Sequence, residues 1–192
     1  VEQRIRAEAE LRLGASVRIL TVSHQDKAEN KAEEWTKLHT WLQSTYPKAH
    51  AAMSREVIGG GTLMYRWDGS DPALPALIMM AHQDVVPVTP GTENDWKHPP
   101  FDGVIADGAV WGRGSFDDKG SLVGLFEAFE ALAHAGFEPK RTIYIVSGHD
   151  EEVGGNGAKE AAKLLESRGV KALMTVDEGS AVITNAPVIN KS

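Results

Sequence analysis

The spacing of hydrophobic residues along this chain changes between two periods, and the change predicts where helices and strands lie. Apolar residues three or four positions apart, among polar ones, predict amphipathic helices. The predicted helices cover residues 1–13, 27–46, 120–135 and 158–167. We expect Gly14 to end the first helix, Pro47 the second and Gly136 the third, because both residue types interrupt helices.

Short apolar stretches bounded by glycine or proline predict the strands. They cover residues 55–58, 62–67, 77–87, 103–111, 141–147 and 172–176. The glycines from Gly59 to Gly61 predict a hairpin turn, since no helix follows them as it would in a phosphate-binding loop. A second hairpin is predicted within 103–111 by the dipeptide Asp107-Gly108. The stretch from Leu77 to Pro87 is apolar enough for a central strand that is covered on both faces.

Strands and helices alternate in the second half of the chain. This order predicts a largely parallel sheet whose strands are joined by crossover helices. The sequence contains no repeat, no low-complexity segment and no clear internal linker. We therefore predict one α/β domain with a largely parallel central sheet flanked by helices.

The composition limits the partners and the chemistry. The 192 residues include 20 basic and 27 acidic side chains, a formal net charge of −7. Nucleic acids and anionic membranes usually require a basic face, so we expect neither as a partner. The chain contains no run of 18 apolar residues, and its first twenty residues are charged throughout, so neither a membrane span nor a signal peptide is predicted. The compartment stays open, with a cytoplasmic location slightly favoured over a periplasmic or secreted one.

Acidic residues and one histidine lie at the carboxyl ends of three predicted strands and before one predicted helix. These residues are His82, Asp84, Asp117, Glu151, Glu152 and Asp177. The carboxyl ends of neighbouring parallel strands meet at one edge of a sheet, so we expect the side chains to converge there. Carboxylates crowded in one place repel one another unless cations neutralise them. Because the chain has no cysteine, one histidine and several carboxylates would have to bind the metal, which fits Zn²⁺, Mn²⁺ or Co²⁺ in a hydrolase.

The first two clusters suggest distinct roles. His82 and Asp84 are two positions apart in an extended segment and point to the same side. Asp84 can accept the ring N–H of His82 and leave the other ring nitrogen for a metal. Asp117 can either cap the helix that follows it or bridge two metal ions about 3.5–4 Å apart. We interpret Lys119 as a counter-charge for Asp118, without a catalytic role.

The acidic pairs after the later strands have alternative interpretations. Glu151 and Glu152 could form an ordinary solvated pair. After a buried strand and before a glycine-rich turn, one can instead bind metal while the other takes a proton from water. Their spacing does not decide which glutamate binds metal and which accepts the proton. Asp177 and Glu178 could bind metal, or they could simply form a turn at the end of a strand.

Four motifs together resemble the M20 family of co-catalytic zinc metallopeptidases, especially its carboxypeptidase S-like branch. They are MAHQDVVP at 80–87, WGRGSFDDKG at 111–120, GHDEE at 148–152 and VDEG at 176–179. The resemblance implies a zinc-exopeptidase-like fold with two zinc ions. It also implies hydrolysis of an amide bond next to a free carboxylate, in a small peptide or an N-acyl amino acid.

The resemblance also implies a role for each site residue. One zinc ion would be bound by His82 and Asp177, the other by Glu152, with Asp117 bridging the two. Glu151 would be the general base, and Asp84 would orient His82. The peptide bond between Asp117 and the next residue would be cis.

Family members are roughly twice as long as this chain, so the resemblance implies that residues 1–192 are the N-terminal half of a catalytic domain. The parts expected to be absent are a lid or dimerisation domain and the C-terminal half, which supplies one more histidine ligand. We expect a hydrolase that can form a homodimer through the missing domain, and a fragment that alone is weakly active or inactive. Two alternatives remain: a non-catalytic metal-binding fragment or pseudoenzyme, and a two-metal phosphoesterase.

Overall fold

The computed structural model describes residues 2–179 of the chain. The helices are α1 (Glu2–Val17), α2 (Ala32–Thr45), α3 (Pro47–Ala52), α4 (Lys119–His134) and α5 (Asn156–Ser167). The strands are β1 (Ser54–Ile58), β2 (Thr62–Trp67), β3 (Ala76–Met80), β4 (Val104–Ala106), β5 (Ala109–Trp111), β6 (Ile143–Ser147) and β7 (Ala172–Val176). Short 3₁₀ turns cover Lys27–Glu29, Glu93–Asp95 and Glu151–Val153.

Within the described part of the chain, five strands form the central sheet, in the order β1-β2-β6-β3-β7. β3 lies parallel to both β6 and β7, whereas β2 is antiparallel to β1 and β6. The predicted α/β class, with a largely parallel sheet flanked by helices, is confirmed. The antiparallel part comes from the N-terminal hairpin, which joins the sheet beside β6.

Both predicted hairpins are present. β1 and β2 are joined through the three glycines, and β4 and β5 through Asp107 and Gly108. Asp107 has φ 53° and Gly108 has φ 74°. Positive φ at both central residues is what the favoured two-residue hairpin turn requires, and Asp-Gly tolerates it.

The helices cover both faces of the sheet. Along β2, the side chains of Leu63, Tyr65 and Trp67 point to a core shared with α2, α3 and α4. The intervening Met64 points to the opposite core, under α5. This alternation follows from the two-residue period of a strand. None of the helices within residues 2–179 combines the length and the apolar character that a membrane span requires.

The first helix is longer than predicted, because Gly14 does not end it. α1 continues to Val17, and the backbone of Gly103 crosses the helix at this point. A Cβ atom on Gly14 would lie only 2.6 Å from the carbonyl oxygen of Gly103. The glycine therefore permits a close backbone contact.

The second helix is shorter than predicted and a third follows it. Residues 27–29 form a separate 3₁₀ turn, and α2 begins only at Ala32. Pro47 ends α2 as predicted, but it also begins α3. Proline is favoured at the first position of a helix, where its missing N–H would have no partner.

β3 is shorter than the predicted strand 77–87. It leaves the sheet after Met80, although residues 81–85 are all buried. Their backbone then bonds to loops: Gln83 N–H donates to the carbonyl of Gly148, and Val85 N–H to that of Thr21. Burial therefore continues past the end of the strand because loops cover this segment.

Replacing Gly14 by alanine should destabilise the fold, although alanine is the better helix former. The new methyl group would have to displace packed backbone, which typically costs about 1–3 kcal/mol. Gly124 is a matched control inside α4, where open space surrounds the Cβ position. Gly124→Ala should stabilise the fold by about 0.5–1 kcal/mol. Urea denaturation of both variants measures the difference, and equal stabilisation by both would contradict the close contact.

Candidate metal site

The acidic clusters lie at the carboxyl edge of the parallel strands. The segment after β3 carries His82 and Asp84, the 3₁₀ turn after β6 carries Glu151 and Glu152, and the residues after β7 are Asp177 and Glu178. The segment before α4 adds Asp117 and Asp118, joined by a cis peptide bond, as the resemblance implied. Three parallel strands thus direct their following loops to one place.

His82 occupies the centre of the site. Its ring is buried, and Nε2 lies 2.8 Å from a carboxylate oxygen of Asp117. Nδ1 lies 2.9 Å from the backbone carbonyl oxygen of Asp84 and 3.4 Å from its carboxylate. A proton on Nδ1 would therefore be shared with Asp84, and Nε2 is the nitrogen that faces the acidic cluster.

Within residues 2–179, two sets of three side chains could hold an ion. In each set, one potential ligand atom per residue lies within 4.8 Å of the others. One set is His82, Asp118 and Glu178, and the other is His82, Glu151 and Glu152. His82 is common to both, so the two sets are adjacent.

Two members of these sets were not chosen from the sequence. Asp118 and Glu178 are the immediate neighbours of Asp117 and Asp177, the residues expected to bind metal. Asp177 lines the same small cavity as His82, but it belongs to neither set, and its carboxylate accepts the backbone N–H of Glu178 at 2.9 Å. Both acidic pairs that the sequence singled out therefore lie at this edge of the sheet, and in each pair it is the neighbour of the assigned residue that belongs to a set.

The charges in the site favour a bound cation. Burial disfavours a charged imidazole, but the carboxylates of Asp84, Asp117 and Asp118 raise the pKa of His82 to about 10. Burial raises the pKa of Glu152, and the negative charge of Asp117 raises it further. Burial and the charge of Asp118 likewise raise the pKa of Glu178. Without a metal, a proton on His82 offsets part of this negative charge, and a divalent ion can take its place.

One buried oxygen supports the same conclusion. Oδ2 of Asp118 accepts the backbone N–H of His82 at 3.1 Å. The other carboxylate oxygen of Asp118, Oδ1, is buried and has no hydrogen-bond partner within residues 2–179. An unpaired buried oxygen is costly, and a cation would satisfy it. The residues present therefore fit a divalent metal.

Asp84 has a wider role than orienting His82. Its carboxylate is fully buried and accepts three hydrogen bonds: from Ser23 Oγ at 2.6 Å, Glu151 N–H at 3.0 Å and Glu152 N–H at 3.2 Å. Burial would raise the pKa of Asp84, but the His82 ring beside the carboxylate and the hydrogen bond from Ser23 lower it. Asp84 therefore connects the histidine to the turn that carries both glutamates, a connection that the sequence did not indicate.

Lys119 does not act as a counter-charge for Asp118, so that interpretation was wrong. Its ammonium group is fully buried and donates to the carbonyl oxygens of Ser16, at 2.9 Å, and Ile19. Burial lowers the pKa of Lys119 to about 7. The side chain instead joins the start of α4 to the end of α1.

The fold and the site together define an α/β protein with a carboxylate-rich candidate metal site at the carboxyl edge of its sheet. Comparison with known proteins places it more narrowly. The model of peptidase family M20/M25/M40 matches residues 78–188, more than half of the chain. The chain belongs to this family, which confirms the resemblance seen in the motifs.

Curated relatives cover almost the whole chain. Carboxypeptidase S of Saccharomyces cerevisiae is 41% identical over 185 residues, which cover 90% of this chain and 32% of the relative. The N-fatty-acyl-amino acid synthase/hydrolase of Xenopus tropicalis is 36% identical over 174 residues, which cover 89% of this chain and 33% of the relative. The chain thus spans about a third of the length of these relatives.

Solved structures share the fold. An M20 family metallo-carboxypeptidase from Sulfolobus solfataricus superposes with a TM-score of 0.72 at 21% sequence identity. The match covers 91% of this chain and 38% of that protein. At this level of identity, the likeness supports the fold alone.

Binding of Zn²⁺ to the chain should release about one proton at about pH 7.5, because His82 must lose its proton before it can bind a metal. The pKa of metal-free His82 is raised to about 10, so the ring is protonated at this pH and affinity should increase with pH. Calorimetry in two buffers with different ionisation enthalpies measures the release. Replacement of the exposed His134 by glutamine should leave it unchanged. Equal binding heats in both buffers would contradict a protonated His82.

Proposed function

We propose that this chain forms part of a metal-dependent hydrolase that cleaves an amide or peptide bond next to a free carboxylate. Such an enzyme would act as a carboxypeptidase or as an N-acyl-amino-acid hydrolase. The convergence of His82 with Glu151 and Glu152 carries the proposal, because it combines candidate metal ligands with a candidate base. The carboxypeptidase and the N-fatty-acyl-amino acid synthase/hydrolase among the relatives support this substrate class.

The proposed metal ligands are those implied by the family resemblance. They are His82, Asp117, Glu152 and Asp177, and we propose Zn²⁺ as the ion, with two sites in the complete enzyme. Mn²⁺ and Co²⁺ fit the same nitrogen and oxygen ligands. Such ions supply Lewis-acid activation of water and of the scissile carbonyl. Asp118 and Glu178 are close enough to His82 to share in binding.

Glu151 is the proposed general base. Its side chain is 52% exposed and its carboxylate lies 3.9 Å from Nε2 of His82, so water can reach it. Its backbone N–H is held by Asp84, which fixes the start of the side chain. A carboxylate in this position can take a proton from the attacking water and deliver it to the leaving nitrogen.

Replacing Glu151 by glutamine should abolish turnover and preserve metal binding. Loss of a general base typically costs about 10²- to 10⁴-fold in rate. Glu152→Gln is the matched variant, and it should weaken Zn²⁺ binding because it alters a proposed ligand. Hydrolysis of N-acyl amino acids by the active enzyme that contains these residues, together with Zn²⁺ titration, measures both effects.

Retained amide hydrolysis in Glu151→Gln would refute Glu151 as the base. A phosphodiester substrate tests the phosphoesterase alternative in the same assay, because its cleavage without amide hydrolysis would favour that class. Metal binding without hydrolysis of either substrate in a full-length enzyme would favour a pseudoenzyme.

We further propose that protein beyond residue 192 completes the catalytic domain and provides a dimer contact. Within residues 2–179, β7 pairs only with β3, which leaves one of its edges open. Its apolar side chains Leu173, Met174 and Val176 are 57%, 53% and 41% exposed. An exposed apolar edge strand is normally covered by further structure.

Residues 1–192 alone should therefore show little or no turnover, even when saturated with Zn²⁺. A chain extended to the length of its relatives should be active, and its Glu151→Gln variant should be inactive in the same assay. Comparison of the rates on an N-acyl amino acid measures the difference. Equal turnover by the short and the extended chain would contradict the need for further protein.

A further inference from the structure

We propose that the segment from Ser16 to Ser23, which contains no candidate metal ligand, positions the metal site through two buried contacts. One contact is the hydroxyl of Ser23 on Asp84, and the other is the ammonium group of Lys119 on the segment's carbonyls. The inference rests on the metal site proposed above. It assigns Ser23 and Lys119 as positioning residues that act through the ligand-bearing segments.

Hydrogen bonds to the backbone hold Ser23 beside Asp84. Ser23 N–H donates to the carbonyl of Val85 at 3.1 Å, and Val85 N–H donates to the carbonyl of Thr21 at 3.0 Å. The hydroxyl of Thr21 also donates to the carbonyl of Gln83 at 2.6 Å. Ser23 is 1% exposed. These bonds hold the segment beside the stretch that carries Asp84.

The Ser23 hydroxyl supplies one of the two donors to the same oxygen of Asp84. Oδ2 accepts Ser23 Oγ at 2.6 Å and Glu152 N–H at 3.2 Å, whereas Oδ1 accepts Glu151 N–H. A fully buried carboxylate needs several donors to stay ionised and in one orientation. Without the hydroxyl, Oδ2 keeps only the longer bond. The carboxylate could then rotate and displace the turn that carries both glutamates.

Lys119 ties the other end of the segment to the start of α4. The lysine directly follows Asp117 and Asp118 in sequence, and its ammonium group reaches back to the carbonyls of Ser16 and Ile19. Both hydrogen bonds are buried and neither involves a carboxylate. One segment therefore contacts both the stretch that carries Asp84 and Lys119, the residue that directly follows Asp118. The distance of 2.8 Å between His82 Nε2 and Asp117 depends on how these two stretches are placed.

Metal binding by single variants of the chain tests the proposal. Ser23→Ala should weaken Zn²⁺ affinity by about 10-fold or more, as changes to residues behind metal ligands typically do. The visible absorption of bound Co²⁺ should change as well, because it reports ligand geometry. Ser23→Thr retains the hydroxyl and should restore both. Ser44→Ala is the matched control, since this hydroxyl donates to a backbone carbonyl on the exposed side of α2.

The metal-free chain offers a second measurement. Ser23→Ala should shift the amide signals of Glu151 and Glu152 in ¹H–¹⁵N spectra, because both amides donate to Asp84. Lys119→Met preserves much of the side-chain length but removes both bonds, and it should also weaken Zn²⁺ affinity. Lys37→Met, at an exposed lysine, should not.

The possible outcomes separate the two proposals. Wild-type Zn²⁺ affinity and Co²⁺ absorption in Ser23→Ala would overturn the positioning role, even if thermal stability falls, and would leave the metal site intact. If Lys119→Met does not fold, the result for Ser23→Ala alone decides whether the segment positions the metal site. A wild-type chain that binds neither ion at micromolar concentration would overturn the proposed metal site and this inference together.

Discussion

The buried carboxylate of Asp84 is the interaction on which the geometry of the site depends. It touches the loops after two parallel strands at once, through the ring of His82 on one side and the amides of Glu151 and Glu152 on the other. An ionised group without exposure to water is tolerated only when donors surround it. Because those donors come from separate parts of the chain, satisfying the carboxylate also determines where each part lies.

The packing of the strands and loops also determines the charge of the site. Burial and the neighbouring carboxylates together raise the pKa of Glu152 and Glu178. The carboxylates also outweigh the effect of burial on His82 and raise its pKa, so the metal-free site retains a proton that a cation would replace. The fold itself thus imposes the repulsion between these carboxylates. A divalent ion is the simplest group that offsets the repulsion without removing the acidic residues that make the chemistry possible.

Parts of the site that carry no ligand contribute to its geometry. The N-terminal segment adds the Ser23 hydroxyl beside Asp84, and Lys119 connects that segment to the start of α4. Gly14 allows α1 to approach the Gly103 backbone closely. The residues that these contacts join are far apart in sequence, from 61 positions for Ser23 and Asp84 to 103 for Ser16 and Lys119. The contacts therefore depend on the packing of the domain and have no local pattern in the sequence.

Features that depend only on neighbouring residues could be predicted from the amino-acid sequence. Asp107-Gly108 specifies its hairpin because its residues tolerate positive φ, and the periods of apolar residues specify helices and strands. The acidic clusters were recognisable because they follow strands and match family motifs. Other features became visible only in the folded chain: Asp118 and Glu178 approach His82, β3 ends at Met80, and Lys119 turns to the end of α1. The orientation of one side chain in an adjacent acidic pair depends on backbone rotation, and contacts between distant segments set that rotation.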